Sequence, residues 1–151
     1  MINGNMDDNS TISISEKSRA VVAKMKEHNL LSIGKGDNDT NTKDIYLLAM
    51  ALGLDKEPSS SIKGGESYTR TIYFKDFDRA LLTAAFLENA PETDDILEYC
   101  DIKKAFANSK GYTDAGFEAI DELAQSAMYD PDLMLKKLLE YVDSIYDETV
   151  N

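Results

Sequence analysis

The fold class of this 151-residue chain is decided by the stretch Lys43-Asp44-Ile45-Tyr46-Leu47-Leu48-Ala49-Met50-Ala51-Leu52-Gly53. Its apolar residues Ile45, Leu48, Ala49 and Leu52 recur at i, i+3, i+4 and i+7, which places them on one face of an α-helix. Gly53 is well placed to end this helix near its C-cap. The sequence predicts a mainly α (α+β) protein, a compact helical domain with one short β element.

An acidic, polar segment precedes this helix. Residues 1–12 have little to bury, and we expect a disordered acidic tail there. Ser13 and Glu16 fit a capping box, and the helix that they open is predicted from about Ile14 to His28. His28 then lies near the end of a helix, where a cation complements the helix dipole.

The β element is predicted over residues 67–74, which are rich in β-branched and aromatic side chains. Its backbone groups need a partner strand. The apolar run 30–33 is the favoured partner within the chain, and pairing with a second copy in a homodimer is the alternative. Residues 34–41 and 55–65 carry the Gly, Asn, Asp, Ser and Pro that are typical of loops.

A third helix is predicted from Phe77 to about Glu88, with Asp76 as its cap. It is apolar nearly all round, which predicts burial on most sides and makes it the expected central element of the core.

Further helices are expected towards the C-terminus. One is predicted to break near residues 108–112 and to restart at a cap on Thr113. The dipeptide Asp130-Pro131 is a strong start for the last helix. The predicted apolar stripe of this last helix consists of Leu135, Leu138, Leu139, Val142, Ile145 and Tyr146.

Residues 13–151 are predicted to form a single helical domain, with a core and β element in 13–90 and acidic helices in 91–151. The net charge of −12 is concentrated at one end, because residues 88–151 hold five bases and sixteen acids. Residues 40–79 are neutral overall. Duplex DNA would be repelled by the acidic half, so nucleic acid is a disfavoured partner.

No catalytic, metal or cofactor site is predicted, and we do not expect an enzyme. The chain has one histidine and one cysteine, Cys100, too few for a zinc site. Gly36 is followed by Asp37, unlike a phosphate-binding loop. No signal peptide or membrane-spanning stretch is predicted, so a cytoplasmic location is expected.

Four cations around the predicted strand are candidates for contact with a phosphate or with a protein partner: Lys63, Arg70, Lys75 and Arg79. The favoured alternative for Arg70 is a structural one, in which it is partly buried and pairs with Asp76 or Asp78.

Four acids are candidates for an acidic surface that faces a basic protein partner: Asp94, Asp95, Asp121 and Glu122. Their simplest interpretation is a charged, solvated helix face. Adjacent acids on a helix point in different directions, so neither pair by itself forms a catalytic centre.

A resemblance enters with the helix that ends in Ala51-Leu52-Gly53 and with the run from Tyr68 to Leu81, which contains Asp76-Phe77-Asp78-Arg79-Ala80. This order resembles the Dnd-system-associated family, small accessory proteins encoded beside operons for DNA phosphorothioation. The segments 111–123 and 130–139 are similar in style to the closing helices of that family.

The resemblance implies a non-enzymatic accessory or adaptor protein of a prokaryotic DNA phosphorothioation-linked modification or restriction system, an anti-phage defence, acting by protein–protein contact. It implies no active site. The alternatives from other classes are a small DNA-binding module that uses residues 43–79 and an acidic DNA mimic.

Overall fold

The computed structural model describes residues 10–32, 39–54, 56, 66–88 and 101–150. This part of the chain is mainly α with one short two-stranded antiparallel sheet, which confirms the predicted fold class. Its elements, in order, are β1 (Thr11–Ile14), α1 (Glu16–Glu27), α2 (Asp39–Gly53), β2 (Glu66–Arg70), α3 (Asp76–Glu88), α4 (Ile102–Ser126) and α5 (Pro131–Val150), with short 3-10 turns at Leu30–Ser32 and Thr71–Tyr73.

Helices α2 and α4 cross so closely that backbone touches backbone. A Cβ atom on Gly116 would collide with the backbone carbonyl of Ala49, and one on Gly53 would collide with the carbonyl oxygen of Tyr112. Glycine is therefore required at both positions by close approach. The end of α2 at Gly53 confirms the prediction, although α2 begins at Asp39, inside the predicted loop.

Buried aromatic rings surround this crossing. Phe74 meets Tyr46 edge-on at 6.1 Å between centroids and Phe106 at 5.0 Å. The hydroxyl of Tyr46 lies 2.7 Å from Ser109 Oγ, which donates to the Phe106 carbonyl, so Tyr46 is the donor to Ser109. Burial raises the pKa of Tyr46 to about 12, although hydrogen bonds with Ser109 and Thr113 act to lower it. The phenol stays neutral and ties α2 to α4.

Helix α4, and not α3, is the central element. It runs unbroken for 25 residues and packs against α1, α2, α3 and α5, so it shares one core with the described elements that precede it. The predicted break at 108–112 and the predicted cap at Thr113 are wrong. Packing from several sides holds the helix through Gly111, and the Thr113 hydroxyl donates to the carbonyl of Lys110 within it.

Helix α3 lies at the edge of the fold, so the prediction that it is buried on most sides is wrong. Leu82 and Ala85 are buried, whereas Phe77 is 74% exposed and Leu81 is 41% exposed. Among the described elements, α3 packs mainly against α4. An apolar surface all round does not by itself supply neighbours on every side.

The partner of β2 is β1, and not the run 30–33, which forms a 3-10 turn. The predicted tail is therefore wrong for Thr11 and Ile12, since Ile12 is buried in the core. Residues 1–9 lie outside the described part. The strand β2 is also shorter than predicted, because residues 71–73 turn as a 3-10 helix. Pairing within the chain removes the need for a second copy at this strand.

The cap of α1 is Ser15, and not Ser13, which pairs within the sheet. The Ser15 hydroxyl accepts from the backbone N–H of Ser18 and donates to Asp114 on α4. Ser18 Oγ donates to the same carboxylate at 2.8 Å. This network fixes the junction between β1 and α1 against the central helix.

The turn between α4 and α5 closes the other end of the fold. Asp130 accepts from the backbone N–H of Leu133 at 2.8 Å, which confirms the predicted start of the last helix. His28 is the C-cap of α1, as its sequence position predicts, and its ring stacks on Tyr129 at 4.6 Å. This stacking ties the end of α1 to the turn.

The predicted stripe of α5 is partly wrong. Among the described side chains of α5, Met134 and Leu138 are buried, whereas Leu135, Leu139 and Val142 are exposed. Ile145 is half-buried, and the side chain of Tyr146 lies outside the described part.

We expect Gly116→Ala to lower the free energy of unfolding by about 2 kcal/mol, because its methyl group must push the α2 backbone away. At an open helix position the same exchange would raise this free energy by about 1 kcal/mol. Urea unfolding measures the effect. The reverse exchange at exposed Ala107 is the control, with a cost of about 1 kcal/mol from helix propensity alone. A Gly116→Ala protein as stable as the parent would contradict the close crossing.

Candidate interaction surfaces

The predicted cation Arg79 is engaged within the chain. Its Nε donates to the carbonyl of Phe74 at 3.0 Å, and its terminal nitrogen donates to the carbonyl of Thr71 at 3.4 Å. These bonds hold the guanidinium against the turn that links β2 to α3. Arg79 therefore acts as a support for that turn, and its donors are directed inward.

The other predicted cations differ in their exposure. Arg70 is half-buried, and its guanidinium carbon lies 5.8 Å from the centre of the Tyr73 ring. The side chain of Lys75 is exposed. Lys63 lies outside the described residues. The predicted partial burial of Arg70 is confirmed, and its candidate partner Asp78 lies against Lys43.

The partner of Asp78 is Lys43, whose role sequence reasoning missed. Lys43 Nζ lies 2.9 Å from Asp78 Oδ2 and 3.0 Å from Asp44 Oδ1. The side chains of Lys43 and Asp78 are each only 11% exposed. Asp78 Oδ2 also accepts the backbone N–H of Lys75, the residue before α3, at 2.8 Å. Asp76, the predicted cap of the helix, is instead its first residue. We call this Lys43–Asp78 pair the clip, because it joins the starts of α2 and α3.

The environment of the clip shifts both pKa values in the direction that favours the ion pair. Burial alone would raise the pKa of Asp78, but the hydrogen bonds from Lys43 and the Lys75 amide outweigh burial and lower it. Burial alone would lower the pKa of Lys43, but the bonds to Asp78 and Asp44 outweigh it and raise it. The two side chains stay charged at neutral pH.

Beyond the clip, an apolar groove opens between α2 and α3. Its volume is about 540 Å³, and it reaches the ends of both helices at Leu54 and Glu88. Leu54 is 38% exposed, and the exposed row on α3 continues from Leu81 back to Phe77. The groove walls are formed by Leu47, Met50, Ala51, Leu54, Leu81, Ala84, Ala85 and Glu88. The sequence contained a signal for this surface, the row Phe77, Leu81 and Ala84. Because α3 is apolar nearly all round, its sequence predicted burial on most sides instead of an exposed row.

The predicted acids are only partly described. Asp121 accepts from Gln125 at 2.8 Å, and Glu122 is exposed. Both line a shallow depression between α1 and α4 that also contains Lys17 and Lys24. Lys17 lies 3.3 Å from Glu118, so lysines are interleaved with these acids. Asp94 and Asp95 lie outside the described residues.

A second cavity of about 380 Å³ lies beside the sheet, between β1, α1 and β2. Its walls include Arg19, Lys26 and Tyr68. The hydroxyl of Tyr68 is buried without a hydrogen-bond partner among the described residues, and burial raises its pKa. Arg19 donates to the carbonyl of Ser67 at 3.2 Å, which supports the wall of the cavity.

Within the described ranges, no group of three or more His, Cys, Asp or Glu side chains could hold a metal ion. None of the helices described here is long and apolar enough to cross a membrane.

Comparisons with known family models, with curated proteins and with solved structures each give no match.

We expect Asp78→Asn to lower the free energy of unfolding by roughly 2 kcal/mol at neutral pH, less than for an isolated buried pair because Asp44 still contacts Lys43. A lowered Asp pKa contributes stability above the unfolded value of about 3.9 and loses it as the pH falls through the folded value. The difference between the parent and Asp78→Asn should therefore shrink below about pH 4. Raising the pH removes the contribution of Lys43 only above its ordinary pKa of about 10.4.

Urea unfolding from acidic to alkaline pH measures both limits. The control is Asp76→Asn, because Asp76 is exposed and lies two residues away in the same helical turn. A constant difference between the parent and Asp78→Asn through the acidic range would contradict the role of the clip.

Proposed function

We propose that this chain is a non-enzymatic adaptor of a prokaryotic DNA phosphorothioation-linked modification or restriction system, and that it binds a protein partner in the groove between α2 and α3. The groove is the observation that carries the docking role. Its open apolar wall and the 74% exposed ring of Phe77 form a continuous apolar surface of the kind that marks protein interaction sites. The family resemblance supports the assignment to this system.

The partner element that best fits this groove is an amphipathic helix with basic flanks. Two helices with an apolar channel between them present the shape that receives the apolar face of a third helix. Glu88 lines the far end of the groove, and Asp44 and Asp76 are exposed acids on the same two helices. The whole chain carries a net charge of −12, so its field attracts a basic segment and speeds the encounter.

Direct binding of DNA is the weaker alternative. Arg79 donates to backbone carbonyls, and Lys43 is held in the clip, so two cations of the 43–79 segment face inward. Affinity for duplex DNA depends on cations that neutralise phosphates. An acidic DNA mimic remains an alternative on the basis of charge alone, because it would bind the basic DNA channel of a nuclease.

We expect Phe77→Asp and Leu81→Asp each to weaken partner binding about tenfold or more, because a charge is placed in the centre of an apolar contact. The purified chain would be titrated by calorimetry with each purified protein of a phosphorothioation system from the host. A synthetic peptide of the basic helix in the protein that binds would then be titrated separately. Both side chains are exposed, so the helical circular dichroism signal should be unchanged.

Met128→Asp is the matched control, because Met128 is an apolar residue that is 80% exposed at the turn before α5, away from the groove. Binding that is equally weakened by Met128→Asp would contradict the groove as the site. Failure of every protein of the system to bind would contradict the assignment to that system.

A fluorescence anisotropy titration separates docking from DNA binding. We expect no binding of plain or phosphorothioated duplex DNA at low salt, because the acidic C-terminal half repels the backbone. Micromolar binding that falls steeply with added salt and is lost in Lys75→Glu would favour the DNA-binding alternative. Binding of the chain to a nuclease in competition with DNA would favour the mimic.

A further inference from the structure

Helix α5 has two apolar faces, and only one of them is covered. Met134 and Leu138 are buried against the body of the fold. On the adjacent face, Leu135 is 50% exposed, Leu139 is 57% exposed and Val142 is 45% exposed. These three side chains form a row that no other element of the described chain covers. We call it the α5 row.

The spacing of the α5 row is that of a helix–helix seam. Leu135, Leu139 and Val142 follow each other at intervals of four and three residues, which are the d, a and d positions of a heptad. Such a seam packs each side chain into a hole formed by a facing helix. In the described chain, α5 has the side chains of such a seam, but no facing helix packs against them.

The charges beside the row specify which helix fits it. Lys136 and Asp143 both occupy the e position of this heptad, and both side chains are exposed. Neither makes an ion pair in the described part of the chain. In an antiparallel pair of helices the e positions face each other, so Lys136 of one copy lies opposite Asp143 of the other. The two-fold axis repeats the pair, and the face is complementary to itself.

A parallel pair lacks this complementarity. It sets e positions against g positions, and the g position in this heptad is Leu138, which is buried against the body of the fold.

We propose that two copies of this chain associate through α5, antiparallel, with Leu135, Leu139 and Val142 in the seam and Lys136 opposite Asp143 across it. The seam is short, so the dimer belongs to the weak class, with a dissociation constant in the micromolar range or above. The residues of the α5 row and its two charges are not among those that line the groove, so the proposed dimer can be tested independently of the proposed function. A symmetric dimer would present two grooves.

Sedimentation equilibrium of the full chain over a wide range of concentrations tests the proposal. We expect Leu139→Asp to abolish the dimer, because it buries a charge in the seam. Lys136→Asp and Asp143→Lys should each weaken dimerisation about tenfold, since two symmetry-related pairs change from attraction to repulsion. The double variant Lys136→Asp/Asp143→Lys restores the pairs with reversed sign and should return to within about twofold of the parent.

The matched controls are Lys103→Asp and Glu27→Lys, which make the same changes in net charge at exposed positions outside α5. They should leave the dissociation constant within about twofold of the parent. Thermal unfolding followed by circular dichroism verifies that each variant is folded, which is expected because the substituted side chains are exposed.

Three results would overturn the proposal. The first is a parent chain that stays monomeric at the highest concentration that can be reached. The second is a dimer that persists in Leu139→Asp. The third is a double variant that is as weak as the single ones, which would exclude the antiparallel register. If the α5 row binds a different protein instead of a second copy, the purified chain stays monomeric, which is the first of these results.

Discussion

The backbone contact between Gly116 of α4 and Ala49 of α2 is the constraint on which the rest of the structure depends. Two helices that approach to backbone contact leave no room for side chains at the crossing. The side chains on either side must then interdigitate, which brings the hydroxyl of Tyr46 to Ser109 and the ring of Phe74 between those of Tyr46 and Phe106. The crossing thus sets the geometry of the core, and α1, α3 and α5 are added around α4.

The position of α3 follows from this core and from the clip. Phe74 is anchored among the core rings, Arg79 supports the turn that follows β2, and Lys43 binds Asp78 at the first turn of α3. The starts of α2 and α3 are therefore fixed next to each other. Since both helices rest on α4, the space between them remains an open channel along their length, and this channel is the groove.

In the described part of the chain, α3 and α5 both keep exposed apolar residues: Phe77 and Leu81 on α3, and Leu135, Leu139 and Val142 on α5. Burying apolar surface contributes roughly 25 cal/mol of favourable free energy for each Å², so an exposed apolar row favours association with a partner. The distribution of charge then selects among partners. An acidic chain favours a basic segment at the groove, whereas the Lys136 and Asp143 flanks of α5 favour a second copy of the same helix.

The amino-acid sequence by itself determined part of the local structure: the apolar periodicity and Gly53 specify α2, and Asp130 and Pro131 specify the start of α5. The β-branched and aromatic run indicates β2, although its second half forms a 3-10 turn. The sequence could not determine which elements meet. Ile12 is predicted as part of a polar tail, yet it lies in β1, one of the two strands of the sheet. Strand pairing depends on residues that are 57 and 59 positions away, in the register Ile12 to Thr69 and Thr11 to Arg70.

The candidate surfaces were also decided by tertiary structure. Lys43 and Asp78 are 35 residues apart, so no local pattern links them. The apolar rows of α3 and α5 are visible in the sequence. The pattern does not show whether another element covers such a row, because a buried row and an exposed row have the same spacing. The number of neighbours around a helix is a property of the packed fold, and among the described elements α4 packs against the largest number of others.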